Sequence, residues 1–322
     1  KINFDGSNLV ELTPEEGMHQ CWYSSDYKYL VDVYSKVDQA PIAVLRDAKN
    51  GKIRMQLDKA DISALLANGW KAPEVFSAKG RDGKTDMWGV IYRPSNFDPS
   101  KKYPVMMTQY SGPNSQQVLD QYGFDWEQYL ASNGIIVVCV DGRGTGARGE
   151  AFRKCTYLRM GELESRDQVE AAQALGKLPY IDKDRIAIWG WSFGGYNTLM
   201  ALSAGNGTFK VGIAVAPPTD WKYYDSVYTE RFMRTPQENF EGYAATSPLR
   251  RVKDLQGKLL LVHGTADDNV HFMQTMEYAE ALVQANKQFD MHVYKDRNHS
   301  IYGGNTRYHL YTKMANYLFN NL

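Results

Sequence analysis

The chain has 322 residues, of which 37 are Lys or Arg and 37 are Asp or Glu. A formal net charge of zero excludes the basic excess on which binding to nucleic acids or anionic membranes depends. Hydrophobic residues make up 43% of the chain and aromatic residues 13%, which indicates a globular protein and excludes a disordered one.

Residues 1–57 have the pattern of an all-β segment. Four short runs are bounded by turn-forming residues: His19–Tyr23, Tyr27–Tyr34, Pro41–Arg46 and Lys52–Gln56. Four such strands correspond to one small sheet or to one propeller blade, and a blade needs neighbours against which to bury its faces. Residues 58–73 are expected to be a connector, with a helix over Asp58–Ala67 that Asp58 caps.

From residue 74 onward, predicted strands alternate with predicted helices. The strands are Val75–Ser77, Thr85–Tyr92, Val105–Tyr110, Ile135–Val140, Ile186–Trp189, Val211–Val215, Leu259–His263 and Phe289–Tyr294. The helices are Trp126–Asn133, Glu164–Leu175, Gly195–Ala204, Phe272–Ala285 and Thr306–Leu322. Several strands are continuous apolar runs, which is typical of a sheet covered on both faces. The alternation predicts an α/β domain with a mostly parallel sheet over residues 74–322.

The strongest chemical signal is a G-x-S-x-G motif centred on Ser192. It lies between the apolar strand Ile186–Trp189 and the helix that opens near Gly195. This strand–turn–helix context is the one that a nucleophile elbow of the α/β-hydrolase fold requires. Glycines flank such a serine because the turn is too sharp for larger residues. We therefore predict that Ser192 is a nucleophile.

A serine nucleophile needs a base, and in this fold the partners follow in the order serine, acid, histidine. His271 begins a helix, His292 alternates within the last strand, and His309 lies in the terminal helix. His299 follows the last strand, at the sheet edge that should carry Ser192. His299 is therefore the predicted base, which accepts the serine proton and returns it to the leaving amine.

The predicted acid lies in the loop after the strand Leu259–His263. Asp267 and Asp268 both stand there, one strand before the histidine loop. A carboxylate at this place can hold the histidine tautomer and stabilise the imidazolium. The residues themselves do not choose between the two aspartates, and the one that is not catalytic is expected to cap the following helix.

Three segments together resemble the prolyl oligopeptidase family, and within it the members that release dipeptides. These segments are Gly190–Gly195, Tyr223–Arg231 and His263–Phe272, and Tyr110–Pro113 and Asp141–Gly144 add to the match. The resemblance covers nearly all of residues 74–322, and residues 1–57 resemble the last blade of the family's propeller. The Tyr-Tyr-Asp-Ser-Val-Tyr-Thr-Glu-Arg run is more specific than the serine motif, which many unrelated hydrolases share.

The resemblance implies roles for further residues. Asp267 is the triad acid, and the oxyanion hole combines the Tyr110 hydroxyl with the backbone N–H of Phe193. Asn269 is implied to bind the carbonyl before the substrate proline. The proline pocket is implied to be lined by Phe193, Trp221, Tyr224, Tyr228 and Val270. Aromatic walls suit a flat apolar ring better than a larger or charged side chain.

The implied activity is that of a serine exopeptidase that releases N-terminal X-Pro and X-Ala dipeptides through an acyl-enzyme on Ser192. The resemblance assigns the substrate ammonium to a pair of glutamates in a propeller upstream of Lys1, so we expect the chain to be the C-terminal part of something longer. It further implies a homodimer formed through the catalytic domain and a periplasmic, secreted or cell-surface location.

Two other readings compete with the exopeptidase. One is an oligopeptidase or acylaminoacyl peptidase of the same family, or an esterase with the same triad; the Tyr223–Arg231 run and the lack of a His-Gly-Gly-Gly motif disfavour the esterase. The other is a catalytically inactive binding module, which the presence of Ser192, Asp267 and His299 disfavours.

The sequence predicts no metal and no cofactor. Its three cysteines, Cys21, Cys139 and Cys155, have no C-x-x-C spacing, which excludes a zinc ribbon and a disulfide scaffold. Cys139 lies in an apolar strand-like run and is expected to be a buried hydrophobic residue.

Overall fold

The computed structural model describes residues 1–80 and 82–322, which form two compact units. The first unit comprises Lys1–Pro73 and Leu119–Asp125, and the second comprises Glu74–Val118 and Trp126–Leu322. Residues 119–125 therefore belong to the first unit, whereas the sequence analysis assigned them to the 74–322 domain. The Met18 N–H donates to the Asp120 carbonyl at 3.0 Å, and the Tyr122 N–H donates to the Ser35 hydroxyl at 3.1 Å.

The first unit is built on a four-stranded antiparallel sheet, which confirms the predicted all-β segment. Its strands pair in sequence order: β1 (Met18–Tyr23), β2 (Tyr29–Lys36), β3 (Gln39–Asp47) and β4 (Ile53–Lys59). The helix expected over Asp58–Ala67 is wrong in its first half, because Asp58 lies in β4 and pairs with Ala43. Cross-strand pairing outweighs the local capping preference there, and helix α1 spans only Ser63–Ala67. That the sheet is a propeller blade stays a prediction.

The second unit contains an eight-stranded sheet. Its strands are β5 (Glu74–Lys79), β6 (Asp86–Tyr92), β7 (Tyr103–Thr108), β8 (Ile136–Asp141), β9 (Ile181–Trp191), β10 (Val211–Val215), β11 (Lys258–Gly264) and β12 (Asp290–Tyr294). The order across the sheet is β12-β11-β10-β9-β7-β8-β6-β5. Neighbours from β12 to β8 are parallel, whereas β6 pairs antiparallel with β8 and β5 pairs antiparallel with β6. The predicted mostly parallel sheet of the α/β-hydrolase fold is confirmed.

Helices flank this sheet at the predicted places and at three others. The helices are α2 (Trp126–Ser132), α3 (Glu150–Lys154), α4 (Glu162–Leu175), α5 (Phe193–Ala204), α6 (Ser226–Met233), α7 (Phe240–Ala245), α8 (Met273–Gln284) and α9 (Thr306–Asn321). The sequence analysis missed α3, α6 and α7, which are short. No helix in the described part of the chain is long and apolar enough to span a membrane.

The sheet has an apolar core on each face. Val105 and Met107 of β7 point to the face that packs against α4, α5 and α8, whereas Met106 between them points to the face that α2 and α9 cover. Strands β8, β10 and β11 are buried along nearly their whole length, as expected for a sheet covered on both sides. Each fully buried aliphatic side chain contributes about 1.5–3 kcal/mol of transfer free energy. This burial stabilises the sheet from which the loops of the site extend.

The parallel strands bring four loops to one edge of the sheet. The strands β7, β9, β11 and β12 all end at this edge, because their carboxyl ends point in the same direction. Tyr110, Ser192, Asp267 and His299 each follow the end of one of these strands. The carboxyl edge of a parallel sheet is where α/β proteins bind ligands.

Candidate active site

Ser192 occupies a strained turn between β9 and α5. Its backbone has φ 59° and ψ −120°, outside the regions that a non-glycine residue normally adopts. The Ser192 N–H donates to the Val215 carbonyl at 2.8 Å, and the Tyr196 N–H donates to the Ser192 carbonyl at 2.9 Å. A Cβ atom at Gly194 would lie 2.5 Å from the carbonyl oxygen of Gln109, so this position requires glycine. This geometry is that of a nucleophile elbow.

His299 and Asp267 form a hydrogen-bonded pair beside this edge. His299 Nδ1 lies 2.7 Å from Asp267 Oδ2. The Asp267 side chain is fully buried, and that of His299 is 20% exposed. Asp268 is exposed to solvent. The structure thus pairs His299 with the first of the two aspartates, and leaves His299 Nε2 for another partner.

The Asp267 carboxylate accepts four hydrogen bonds. Oδ1 accepts from the N–H groups of Asn269 at 3.0 Å and Val270 at 2.9 Å, and Oδ2 faces His299 at 2.7 Å and His263 at 3.1 Å. Burial acts to raise the pKa of Asp267, but the hydrogen bonds from His263 and His299 outweigh it and hold this pKa well below the usual range. The carboxylate is therefore ionised at neutral pH.

Hydrogen bonds join the loop after β11 to the end of β12 and to the loop that follows it. The Thr265 N–H donates to the Tyr294 carbonyl, the Ala266 N–H donates to the Arg297 carbonyl, both at 3.0 Å, and the Asp296 N–H donates to the Thr265 hydroxyl at 2.8 Å. A Cβ atom at Gly264 would collide with the Arg297 carbonyl, so the loops approach this closely only with glycine there. This contact fixes the loops that present Asp267 and His299.

Trp191 links the serine turn to the histidine loop. Its indole N–H donates to the His299 carbonyl at 2.9 Å. The Arg307 guanidinium lies 4.9 Å from the centroid of the Trp191 ring and donates to the Ser300 carbonyl at 2.8 Å. Since Trp191 directly precedes Ser192, this bond sets the spacing between the serine turn and His299.

Tyr110 and Phe193 both lie close to Ser192. Tyr110 stands two residues beyond the end of β7, so its expected position as the last strand residue is wrong. Burial raises the pKa of Tyr110, and the nearby Ser192 side chain opposes the rise. Tyr110 is thus a neutral donor at physiological pH. Phe193 is the first residue of α5, where a backbone N–H has no acceptor within the helix.

An aromatic cluster lies beside the serine turn. The Phe193 ring centroid is 5.6 Å from that of Trp221, and the Trp221 ring lies 6.0 Å from Tyr224 and 6.3 Å from Tyr228. Tyr224 and Tyr228 meet edge to face at 5.3 Å. Tyr228 belongs to α6, which Asp225 caps by accepting from the Tyr228 N–H at 2.8 Å. The structure therefore brings together the four aromatic residues expected to line a proline pocket.

Asn269 and Val270 connect this cluster with the Asp267 loop. The Tyr224 hydroxyl donates to Asn269 Oδ1 at 2.6 Å, which leaves the Asn269 amide N–H groups for another acceptor. Burial, aided by the nearby Asp225 charge, raises the pKa of Tyr224 to about 12, so its hydroxyl stays protonated. Val270 is fully buried, and its N–H donates to Asp267.

The sequence analysis missed two residues of this site, His263 and Trp191. It treated His263 as the end of a strand and Trp191 as the variable position before the serine, and although both lie in segments that carry the resemblance, it gave neither a role. The role of His263 could have been suspected, because a histidine near the end of an apolar strand and four residues before an aspartate can reach that aspartate. The bond between Trp191 and His299 leaves no signal in the sequence, because the two residues are 108 positions apart. Within residues 1–80 and 82–322, no three His, Cys, Asp or Glu side chains are grouped so as to hold a metal ion.

A serine on a strand–turn–helix elbow, with a hydrogen-bonded His–Asp pair at the same edge of a mostly parallel eight-stranded sheet, defines the chain's second unit as an α/β-hydrolase domain. Residues 122–322 match the prolyl oligopeptidase family. The chain belongs to that family.

Its relatives include dipeptidyl peptidases. The crystal structure of Porphyromonas gingivalis dipeptidyl peptidase 4 is 54% identical, with a TM-score of 0.94, over 100% of this chain and 46% of that one. Dipeptidyl peptidase 4 of Bos taurus is 41% identical over 86% of this chain and 37% of its own length. Prolyl endopeptidase FAP of Mus musculus is 39% identical over 92% of this chain and 40% of its own length. The chain thus spans less than half the length of these relatives.

Proposed function

We propose that this chain is the catalytic part of a serine exopeptidase that releases N-terminal X-Pro and X-Ala dipeptides from peptides. The observation that carries the proposal is the 2.7 Å contact between His299 Nδ1 and Asp267 Oδ2, at the sheet edge that holds the strained Ser192 turn. The dipeptidyl peptidases among the relatives support the choice of substrate class.

Acylation begins with Ser192. Its Oγ attacks the carbonyl carbon of the scissile bond while its proton passes to Nε2 of His299, the nitrogen that does not face Asp267. The ionised Asp267 stabilises the imidazolium that results. His299 then gives this proton to the leaving amine as the C–N bond breaks, and the dipeptide remains as an ester on Ser192. Water, activated by the same imidazole, hydrolyses this ester and restores the serine hydroxyl.

The oxyanion of each tetrahedral intermediate receives two donors. The Tyr110 hydroxyl lies near the Ser192 side chain, and the Phe193 N–H is a free donor at the start of α5. Such preorganised donors stabilise the transition state by about 3–4 kcal/mol each, judged by the effect of removing one.

Specificity follows from the aromatic cluster and Asn269. A proline ring packs between the faces of Trp221, Tyr224 and Tyr228, and an alanine methyl group fits the same space, whereas a charged side chain would lose its hydration there. The Asn269 amide, oriented by the Tyr224 hydroxyl, donates to the carbonyl that precedes the proline.

A prolyl endopeptidase is the second candidate, because one relative carries that name. The two activities differ in whether a free substrate ammonium is required. An endopeptidase would cleave N-acetylated Gly-Pro anilides about as well as the free forms, whereas the proposed exopeptidase would reject the acetylated forms. The same pair of substrates therefore separates the two candidates.

The proposal is tested with Gly-Pro p-nitroanilide and a fluorophosphonate probe on the intact natural protein. We expect wild-type protein to hydrolyse the anilide and to be labelled at Ser192. Ser192→Ala is expected to lose labelling and to lower kcat by about 10⁶-fold, because the nucleophile is removed. Ser132→Ala, an exposed serine on α2, is the matched control and should keep wild-type rates. Hydrolysis at the wild-type rate by Ser192→Ala would contradict the assignment.

A further inference from the structure

His263 is a second histidine on the carboxylate of Asp267, and the mechanism above gives it no role. It is the penultimate residue of β11 and is fully buried. Its Nε2 lies 3.1 Å from Asp267 Oδ2 and 2.8 Å from the Val270 carbonyl, and its Nδ1 lies 2.7 Å from the Thr275 hydroxyl. Both ring nitrogens are therefore occupied by protein groups.

The partners of His263 determine its tautomer. Nε2 faces two acceptors, a carboxylate oxygen and a carbonyl oxygen, so it must carry a hydrogen atom. Nδ1 then accepts from the Thr275 hydroxyl, which is itself fully buried on α8. The Phe272 ring meets the imidazole edge to face at 5.6 Å.

Asp267 Oδ2 is the one acceptor that both histidines share. His263 contacts Asp267 Oδ2 from the end of β11, and His299 contacts the same oxygen from the loop after β12. The two N–H donors of Asn269 and Val270 hold only Oδ1. Without His263, the oxygen that meets His299 would have no donor from the protein behind it.

We propose that His263 is a positioning residue of the catalytic triad, whose Nε2–H, oriented by Thr275, fixes Asp267 Oδ2 against His299. This inference rests on the proposed function, since it assigns His263 a part in the same reaction. Sharing Oδ2 between two donors also leaves less of the carboxylate charge for His299. Removing the His263 donor therefore loosens the alignment of the pair and strengthens the attraction between Asp267 and a protonated His299.

The test compares His263→Leu with His263→Gln in the intact natural protein. Leucine has a similar size but no donor, whereas the glutamine amide reaches the Nε2 position and can donate to Asp267. We expect His263→Leu to lower kcat about ten- to a hundredfold with little change in KM, and to move the acid limb of the pH profile to higher pH. His263→Gln should restore most of kcat and the wild-type acid limb.

A purely structural role would give a different result. If His263 only held the 264–270 turn in place, the two variants would lose activity equally and keep the wild-type acid limb, and that outcome would overturn the proposal. Should His263→Leu fail to fold, Thr275→Val and Thr275→Ser replace the pair. The valine removes the hydroxyl that orients the His263 ring and should lower kcat with the same shift of the acid limb, and the serine should restore both. A Thr275→Val variant with wild-type behaviour would then overturn the proposal.

Labelling rates separate this inference from the proposed substrate class. Reaction of Ser192 with a fluorophosphonate needs the triad but not the proline pocket. If wild-type protein is labelled yet does not cleave Gly-Pro anilides, the substrate class is wrong, and the variants are compared by their labelling rates at each pH. Equal rates and equal acid limbs for His263→Leu and wild type would overturn the role of His263 alone. Wild-type protein that is not labelled would overturn both proposals.

Discussion

The residues around Ser192 maintain its strained backbone conformation. A φ of 59° with ψ of −120° costs on the order of 1–3 kcal/mol for a residue with a side chain. The bond to the Val215 carbonyl and the buried helix α5 that follows maintain this conformation. This conformation places the Ser192 hydroxyl beside Tyr110 and at the start of helix α5.

The hydroxyl of Tyr110 gives a test of the oxyanion hole. Tyr110→Phe keeps the ring that packs 5.9 Å from Phe193 and removes only the donor. We expect kcat to fall about 10²- to 10³-fold with little change in KM, since the donor acts mainly in the transition state. Steady-state kinetics on Gly-Pro p-nitroanilide measures this. Tyr129→Phe, an exposed tyrosine on α2, should have no effect, and a wild-type kcat for Tyr110→Phe would remove Tyr110 from the oxyanion hole.

The pH profile tests the proposed base. The pKa of Asp267 is held well below its usual range, so this group stays ionised across the working range and cannot cause the loss of activity in mild acid. A protonated His299 cannot accept the Ser192 proton. We therefore expect kcat/KM to fall in mild acid with a slope of one proton. A profile that is flat down to pH 5 would count against His299.

At the scale of elements, three connections hold the site together. The loop after β11 is bonded to the loop after β12, Trp191 bonds the serine turn to His299, and the Gln109 amide donates to the Gly194 carbonyl at 2.8 Å. Each connection joins segments far apart in sequence. The site therefore depends on the register of the strands beneath it.

Trp191→Phe tests one of these connections. Phenylalanine retains an aromatic surface beneath Arg307 and removes the N–H that donates to the His299 carbonyl. Loss of this bond lets the histidine loop shift, and we expect kcat to fall roughly tenfold. Steady-state kinetics on the anilide substrate measures this change in kcat. Trp88→Phe, an exposed tryptophan on β6, is the control, and equal rates for the two variants would mean that the Trp191 bond does not position His299.

The first turn of helix α4 contains a buried carboxyl group, that of Glu164, whose titration should affect the stability of the fold. Glu164 Oε2 accepts from the Gly161 N–H at 2.8 Å, and burial raises the pKa of Glu164 to about 8. An unfolded glutamate titrates near ~4.3, so between these pH values the unfolded chain releases its proton while the folded chain keeps it. This difference destabilises the wild-type fold progressively as the pH rises from about 4 to 8.

Glu164→Gln removes this titration and keeps the acceptor for Gly161. We expect the thermal midpoint of the variant, relative to wild type, to rise between pH 4 and pH 8, by an amount equivalent to at most a few kcal/mol of unfolding free energy. Differential scanning calorimetry at several pH values measures this. Glu277→Gln, an exposed glutamate on α8, should show no such trend. A pH-independent difference for Glu164→Gln would contradict the raised pKa.

At the scale of the whole molecule, the second unit and the first unit present different surfaces. The eight-stranded sheet is covered on both faces by helices, whereas every residue of β4 in the first unit is exposed. Exposed apolar residues on this strand include Ile53, Met55 and Leu57. Such a surface is what a propeller blade would bury against a neighbouring blade, in keeping with the predicted upstream propeller.

Selectivity for a free N-terminus is predicted to reside in that propeller. The resemblance assigns the ammonium-binding glutamates to it, so the 322-residue chain expressed alone should cleave free and N-acetylated Gly-Pro anilides at similar rates. The intact natural protein should strongly prefer the free form. The ratio of the two kcat/KM values measures this. Strong rejection of the acetylated substrate by the chain alone would place the ammonium site within these residues.

Local sequence patterns predicted the parts of the fold that depend on local chemistry. The strands of the parallel sheet were found because both of their faces are apolar, and α4, α5, α8 and α9 because they are long enough to show periodicity. Short α6 was missed, although it carries Tyr228. Asp58 was misplaced because its pairing partner, Ala43, lies in another strand.

The sequence by itself determined the serine turn and the class of fold, because glycines around Ser192 and the alternation of strands and helices act over neighbouring residues. It also placed His299 after the last strand. Only the tertiary structure decided, on geometry, that His299 bonds Asp267 and not Asp268, that His263 bonds the same carboxylate, and that Trp191 bonds the His299 carbonyl. The reason is physical: these bonds join loops 32 and 108 residues apart, and their strength comes from burial that only the assembled sheet provides.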